Sequence, residues 1–313
     1  MLGYLLRRIL ATIPVMAIVA LFVFSLLYIA PGDPAAVIAG DQASPEDVEK
    51  IRKSLGLDRA FLVRFTEWSL QVLSGDLGTS MFTGLPVTEL IRQRLEPTMS
   101  LMIVTLFLAI GIAVPAGVIA AWKAGTWIDR LVMAFAVLGF SVPVFIVGYL
   151  LAYVFALQLD WLPVQGYTPF AEGIGPWIEN LILPPLALGC VYIALIARTT
   201  RAAMLEVLQQ DYIRTARAKG IGQAGLLFVH ALKNAAVPIV TVIGIGVALL
   251  IGGAVVTESV FAIPGLGRLT IDAVVRRDYP LIQGIVLMFS FTYVLVNLAI
   301  DLIYTLLDPR IRY

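Results

Sequence analysis

Read as a pattern of apolar and polar positions, the chain is six long apolar stretches separated by charged, punctuated segments. The stretches 9–30, 98–122, 131–157, 181–197, 235–257 and 281–300 contain no Asp, Glu, Lys or Arg. About 20 apolar residues carry a helix across the hydrocarbon layer, so each stretch predicts one transmembrane span. The spans are read as helices because an open sheet edge cannot sit in lipid. The pattern thus predicts an all-α, polytopic membrane protein with six transmembrane helices.

The segments between spans carry their own signals. Ala30-Pro31-Gly32-Asp33-Pro34 stops the first helix. Beyond it, Ser44, Pro45 and Asp47 read as an N-cap, a proline at the first helical position and an acid at the third. Val48, Ile51 and Leu55 then share one face, and Gly56 ends the helix. A second amphipathic stretch, 59–74, carries Phe65, Trp68 and Leu73. It either lies at the lipid interface, where Trp is favoured, or packs on the first helix or a neighbouring subunit. Inside the spans, Pro115, Pro143, Pro184, Pro185 and Pro238 can each kink a helix. The small pairs Ala113 with Gly117 and Gly244 with Ala248 permit close helix contacts.

The segment 211–240 is the most unusual, a charged hairpin between two apolar spans. Asp211 can cap a helix over 211–219 whose last turn carries Arg217 and Lys219, and Gly220 supplies the left-handed residue that ends it. Tyr212, Ala216 and the methyl of Thr215 are available for packing, with Arg214, Arg217 and Lys219 solvated. A second helix is expected from Gln223 or Ala224 through Phe228, Leu232 and Ala236. A loop needed only for its charge would not require that order, so the hairpin reads as a surface shown to a partner.

Composition agrees with a membrane protein: 60% of residues are hydrophobic, 14% are charged and mean hydropathy is +0.93, against roughly 25% charged residues in a soluble domain. A net charge of +1 gives no bulk field pointing to nucleic acid. Its distribution says more. Lys123 and Arg130 in one short loop, and Arg198, Arg201, Arg214, Arg217, Lys219 and Lys233 in another, share a side with Arg7, Arg8, Arg310 and Arg312. The loop 158–180 has no Lys or Arg. By the positive-inside rule the basic side is cytoplasmic. The segment 31–97 has seven basic residues and ten acids, but a loop that long is largely exempt from the rule. The first apolar run, 22 residues, exceeds the usual 7–15 of a secretory signal and reads as an uncleaved helix.

Candidate chemistry is sparse. Cys190, the sole cysteine, lies inside the fourth span, so there is no intrachain disulfide or cysteine-based metal site, and it reads as a packed small hydrophobe. His230, the sole histidine, has no second His or Cys to complete a ligand set, and is read as solvated or docking. Residues 220–225, GIGQAG, match G-x-G-x-x-G but lack the preceding strand and βαβ unit of a dinucleotide site. No G-x-x-x-x-G-K-[ST] run occurs, so if ATP drives this chain, another polypeptide binds it.

Glu258 and Asp301 lie near the ends of spans five and six, close enough to an interface to be hydrated. The segment Glu258–Pro280, with Pro264, Gly265, Gly267, Arg268, Asp272, Arg276, Arg277 and Asp278, is an outer gate, a docking surface or an amphipathic linker. Ser141, Tyr149, Tyr153, Tyr293 and Asn297 either line a hydrophilic pathway or bond between helices. An ion-coupled secondary transporter is disfavoured by the uncharged span interiors, although backbone carbonyls can hold Na⁺. An intramembrane hydrolase lacks a nucleophile with a base or a metal set.

Residues 211–238 resemble the EAA-type coupling segment of ABC importer permeases, in which a short cytoplasmic helix, a glycine and a returning helix dock into the ATPase subunit. The Glu-Ala-Ala opening is replaced by Thr215-Ala216-Arg217-Ala218, with Gly220 as the motif glycine, the version typical of the dipeptide, oligopeptide and nickel branch. Further matches to that branch are LLRRIL (5–10), PGDPA (31–35), LGLD (55–58), GDLGTS (75–80), SVPVF (141–145), WLP (161–163), VFAIPGLGRL (260–269), RDYPLIQG (277–284) and DPRIRY (308–313).

The resemblance implies a B-type permease with a type I importer fold in the bacterial inner membrane, both termini cytoplasmic. Its implied partners are a homologous C-type permease, two ATP-binding-cassette ATPases and an external solute-binding protein. It implies no cofactor in this chain, with ATP and Mg on the ATPases, and no enzymatic activity of its own. Asp211, Arg214, Thr215, Ala216, Arg217, Ala218 and Gly220 are the expected docking residues. Ser141, Tyr293, Asn297, Glu258, Pro264, Gly265, Gly267 and Arg268 are candidates for the pathway or outer gate. The expected organisation is a first helix to residue 30, an external helical region 31–97, a permease core 98–306 with the coupling hairpin at 211–236, and a cytoplasmic tail 307–313. Di- or oligopeptides are the implied cargo, with glutathione, nickel chelates or another small solute as alternatives.

Overall fold

A computed structural model describes residues 2–29, 34–39, 44–54 and 56–307. The punctuation cluster at 30–33, Leu55 of the amphipathic face, and the tail at 308–313 with Arg310 and Arg312 lie outside the described residues. Among the described residues the chain is helical, with one isolated bridge between Thr79 and Pro86. Helix α1 (Leu2–Ile29) is followed by the short α2 (Pro34–Ala39), α3 (Pro45–Ser54) and α4 (Phe61–Leu73). Then come α5 (Val87–Trp122), α6 (Trp127–Ser141), α7 (Val144–Leu151) continued by π-helical turns over Ala152–Gln158, α8 (Ile174–Asn180) and α9 (Leu183–Leu208). The last third contains α10 (Asp211–Ala218), a π-helical segment Gly225–Ala231, α11 (Leu232–Asn234), α12 (Ala236–Val260), α13 (Leu266–Arg276) and α14 (Tyr279–Leu307).

Five helices, α1, α5, α9, α12 and α14, are long and apolar enough to cross a membrane. The third apolar stretch, predicted as one helix over 131–157, is instead the pair α6 and α7, bent by 106°. Pro143 is the cause. A proline disfavours the α region for the residue before it, and Val142 is accordingly extended at φ −97°, ψ 123°. Counted as one broken span, the pair makes six. Pro184 and Pro185 in the first turn of α9, and Pro238 in the first turn of α12, sit where the backbone N–H has no helical acceptor, so these three break nothing. Helix α5 also extends past its apolar run, beginning at Val87.

The described chain forms two compact units. The first is built on Glu96–Arg268 and is joined by the segment from Leu295. Small residues set its helix spacing. At Gly117 on α5, an added Cβ would lie 2.7 Å from the Ala197 carbonyl oxygen of α9, and Ala113 one turn earlier is fully buried. At Gly246 on α12, a Cβ would fall 1.4 Å from Cε2 of Tyr192, whose hydroxyl donates to the Ile243 carbonyl. Gly244 is covered by Ile300. Charge does the same work between α6 and α9. Arg201 grips both carboxylate oxygens of the buried Asp129, at 2.5 and 2.8 Å, and the Gly125 N–H adds a third bond at 3.0 Å. Arg201 had counted only as topology-setting charge; here it is a structural clamp.

The second unit comprises Leu6–Leu95 and Leu269–Val294. The aromatic stretch of α4 packs against α1: Phe61, Phe65 and Trp68 surround Phe24 with ring centroids 5.3–5.5 Å away. Leu73, read from the same stretch, does not join them and is 83% exposed. Helix α3 begins as its sequence predicts: the Ser44 hydroxyl accepts from the Asp47 N–H at 3.2 Å and donates to the Asp47 carboxylate at 2.8 Å. That hydroxyl and the Lys50 ammonium hold the Asp47 carboxyl below its usual range. Ser80 Oγ and the Met81 N–H both donate to the buried Asp278.

The Gly246–Tyr192 contact makes a direct prediction. Gly246→Ala displaces a buried ring and should cost about 1–3 kcal/mol, as overpacking typically does. Thermal unfolding of the purified protein in detergent should show a lowered midpoint, and combining it with Tyr192→Leu should cost less than the sum of the two single changes.

Candidate functional site

The hairpin after α9 is built from its backbone outward. Gln210, extended at φ −70°, ψ 147°, occupies the N-cap of α10 and makes no side-chain cap bond. Asp211, expected at the cap, is therefore the first helical residue. Its exposed carboxylate faces the positive end of the helix and accepts from Arg214 at 3.3 Å. The other end matches the sequence reading. The Gly220 N–H donates to the Arg217 carbonyl at 3.0 Å, and the Ile221 N–H to that of Ala216 at 3.3 Å. With Gly220 at φ +80°, this is a Schellman motif.

The packing face differs from the predicted one. Ile213, 1% exposed, and Ala216 point inward, whereas Tyr212 is 44% exposed and Thr215 turns outward. Ile213 and Ala216, three residues apart, share a helix face, and Ile213 is the largest aliphatic side chain on α10. Together they enter an apolar cluster with Val118 of α5, Met204 of α9, and Leu226 and Leu227 of the return limb. Burying Ile213 contributes roughly 1.5–3 kcal/mol, enough to fix α10 to the ends of the spanning helices.

The return limb is not the regular helix expected from Gln223 to Ala236. Gly225–Ala231 winds with i→i+5 turns, placing Leu226 and Ala231 inside together with Leu227, while Phe228 stays exposed. A break at Ala235 (φ −86°, ψ −1°) precedes α12. His230 is half-buried, with its carbonyl accepting from Asn234 at 2.7 Å. Among the described residues no three His, Cys, Asp or Glu side chains cluster as a metal set.

Of the expected docking residues, Asp211, Arg214, Thr215, Arg217, Ala218 and Gly220 lie on the exposed side of this hairpin. Ala216 does not; it anchors the helix from below.

A second constellation forms where α12 turns into α13. Glu258 was expected to be hydrated near the end of its span, but it is 0% exposed. Its carboxylate accepts from Thr98 Oγ1 at 2.6 Å and from the Arg268 N–H at 3.0 Å, and the Leu266 N–H donates to Thr98 Oγ1 at 2.8 Å. A carboxylate thus sits at the N-terminus of α13, where orphan N–H groups and the helix dipole favour an anion. Gly265 and Gly267 are required by the closeness of the turn. A Cβ at 265 would lie 2.3 Å from the Glu258 carboxyl carbon, and one at 267 would lie 2.5 Å from Cα of Val255. The structure therefore brings together Glu258, Gly265, Gly267 and the backbone of Arg268, with Pro264 in the connecting turn.

The candidate pathway residues are outward-facing. Ser141 is exposed and its hydroxyl donates to Val137 within its own helix at 2.9 Å; Tyr149, Tyr153, Tyr293 and Asn297 are exposed. Asp301 is half-buried. Sequence reasoning missed Thr98, Asp129 and Ile213. Ile213 had a signal in its three-residue spacing to Ala216; Thr98 and Asp129 are single polar residues whose partners are distant in sequence.

Thr98→Val should remove both hydrogen bonds made by this hydroxyl, to Glu258 and from the Leu266 N–H, at a cost of about 1–3 kcal/mol. Hydrogen–deuterium exchange at the start of α13 should accelerate while the α9 core stays protected.

Residues 113–313 match the family described as the binding-protein-dependent transport system inner membrane component, and residues 1–102 match its N-terminal counterpart. A probable peptide ABC transporter permease of Sinorhizobium fredii is 55% identical over 310 residues, 99% of each chain. A dipeptide transport system permease of Alkalihalophilus pseudofirmus is 41% identical, and a glutathione transport system permease of Salmonella typhimurium 43%, each covering 100% of both chains. Among solved structures, the inward-facing MetNI methionine ABC transporter matches with a TM-score of 0.55 at 19% identity, over 70% of this chain and 96% of that one; this likeness concerns the fold.

Proposed function

Because the chain belongs to the binding-protein-dependent transport system inner membrane components, and is a non-catalytic permease subunit of an ABC importer, we propose that it forms a peptide pathway with a second, homologous permease. Two ATP-binding-cassette subunits, holding ATP and Mg, drive the pair from the cytoplasm, and an external solute-binding protein delivers the cargo. The carrying observation is α10: a short helix pinned from below by Ile213 and Ala216 and closed by Gly220, with Asp211, Arg214 and Arg217 turned to solvent. A helix held that firmly transmits displacement instead of absorbing it.

In this reading Asp211, Arg214, Thr215, Arg217, Ala218 and Gly220 meet the ATPase, and Ala216 positions them. The turn at Glu258, Pro264, Gly265, Gly267 and Arg268, built on the buried Glu258, Gly265 and Gly267, belongs to the outer gate. Ser141, Tyr293 and Asn297 face the pathway or the partner permease, since exposed polar groups on spanning helices are costly against lipid. Both termini are cytoplasmic. Peptide cargo is supported by relatives named for peptides and dipeptides; the relative named for glutathione makes that γ-linked tripeptide the second reading.

Gly220→Val tests the coupling. No atom within 4 Å would meet an added Cβ at Gly220, so the cost is the left-handed backbone, about 1–2 kcal/mol, and the protein should still insert. In proteoliposomes with its partners the variant should retain ATP hydrolysis while ATP-driven dipeptide uptake falls at least about tenfold, a coupling loss near 1.4 kcal/mol. Normal uptake would contradict the proposal, as would gradient-driven uptake by this chain alone.

A further inference from the structure

A cleft of about 350 Å³ lies in the second unit, where the last turns of α1 meet α4 and the start of α14. Its walls combine aromatic faces with unbalanced positive charge. Arg59 is spoken for: its Nη1 donates to both oxygens of Glu67 at 2.9 and 3.0 Å. Among the described residues, no acid lies within ion-pair distance of Arg64. Its guanidinium lies over the rings of Phe24 and Tyr28, 5.7 and 5.4 Å from their centroids, and it donates to the Tyr28 hydroxyl. Lys53 also lines the cleft, exposed and, among the described residues, without an ion pair. Two cations thus remain beside Phe24, Leu27 and Trp68.

Position narrows the ligand. Phe24, Leu27 and Tyr28 occupy the last two turns of a membrane-spanning helix, so the cleft sits at the level where that helix leaves the apolar layer. Helix α4 turns Phe61, Phe65 and Trp68 onto α1 and leaves Leu62, Leu70 and Leu73 exposed on its other side. An amphipathic helix with an open leucine face, a Trp and an uncompensated Arg matches the interfacial layer, where acyl chains and headgroups meet. A cation held between aromatic faces without an acid is arranged for an anion that brings apolar surface with it.

We propose that this cleft binds the headgroup of an anionic phospholipid, with the phosphate between Lys53 and Arg64; the leucines on the far side of α4 keep that helix, and so the cleft, at the lipid interface. The inference does not rest on the transport reading, because α1 spans the membrane whatever solute passes.

The purified full chain in detergent micelles should be titrated with dioleoylphosphatidylglycerol, dioleoylphosphatidylcholine, glycerol 3-phosphate and dialanine, with bound species counted by native mass spectrometry. Phosphatidylglycerol should bind saturably and more tightly than phosphatidylcholine. Arg64→Gln and Lys53→Gln should each weaken it by roughly fivefold, the effect of one basic residue near an anionic surface, and Arg64→Lys should retain most of the preference. Lys53→Gln touches none of the aromatic packing, so it carries the test if Arg64→Gln fails to fold. Equal binding of the two lipids, unchanged binding in Lys53→Gln, or displacement of the lipid by glycerol 3-phosphate or dialanine at comparable concentration would each overturn the proposal, the last by making the cleft a site for small soluble solutes.

Discussion

A chain this apolar cannot leave a buried peptide group unpaired, because the lipid offers no substitute partner. Helices satisfy that demand along the spans, so the structure depends on how it is met wherever a helix stops. The turn from α12 to α13 shows the solution most clearly. There the fully buried carboxylate of Glu258 and the hydroxyl of Thr98 receive the N–H groups of Arg268 and Leu266, and glycines at 265 and 267 let the turn close over them. A buried carboxylate would be costly alone; hydrogen-bonded at a helix N-terminus, it holds the turn against α5.

The hairpin meets the same demand with different chemistry. Gly220 and Ile221 return the last carbonyls of α10 to hydrogen-bonding partners, and Ile213 sinks into the apolar cluster beneath. Order in the backbone leaves the charged side chains free to face outward. Within eight residues one face packs into the permease core and the other stays exposed. The clamp between Asp129 and Arg201 ties α6 to the same helix, α9, from which the hairpin emerges, so a push on α10 reaches a braced group of helices.

Much of this was legible in the sequence, and the exceptions have physical reasons. Apolar runs free of charge marked five spans, since the cost of charge in lipid is read residue by residue. The sixth was marked but not its bend: Pro143 was visible, yet the sequence does not set it apart from Pro115, which lies inside an unbroken α5, or from the first-turn prolines of α9 and α12. Gly220 was legible because a left-handed helix end needs glycine. The face of α10 was not, because Tyr212, Ile213 and Ala216 are all plausible packing residues and only the cluster below decides the rotation. Glu258 was placed at a hydrated boundary because its partner Thr98 lies 160 residues away, beyond any local pattern.

The central claim is that the exposed face of α10 is the surface on which an ATPase acts. The most direct measurement places a single cysteine there, Arg214→Cys in a Cys190→Ala background, and follows its crosslinking in the assembled importer. The account predicts a crosslink to the ATP-binding subunit whose yield changes between nucleotide-free and ATP-bound states, with protection from maleimide on assembly. A cysteine equally reactive with and without the ATPase, or labelled from outside intact cells by a membrane-impermeant reagent, would contradict it.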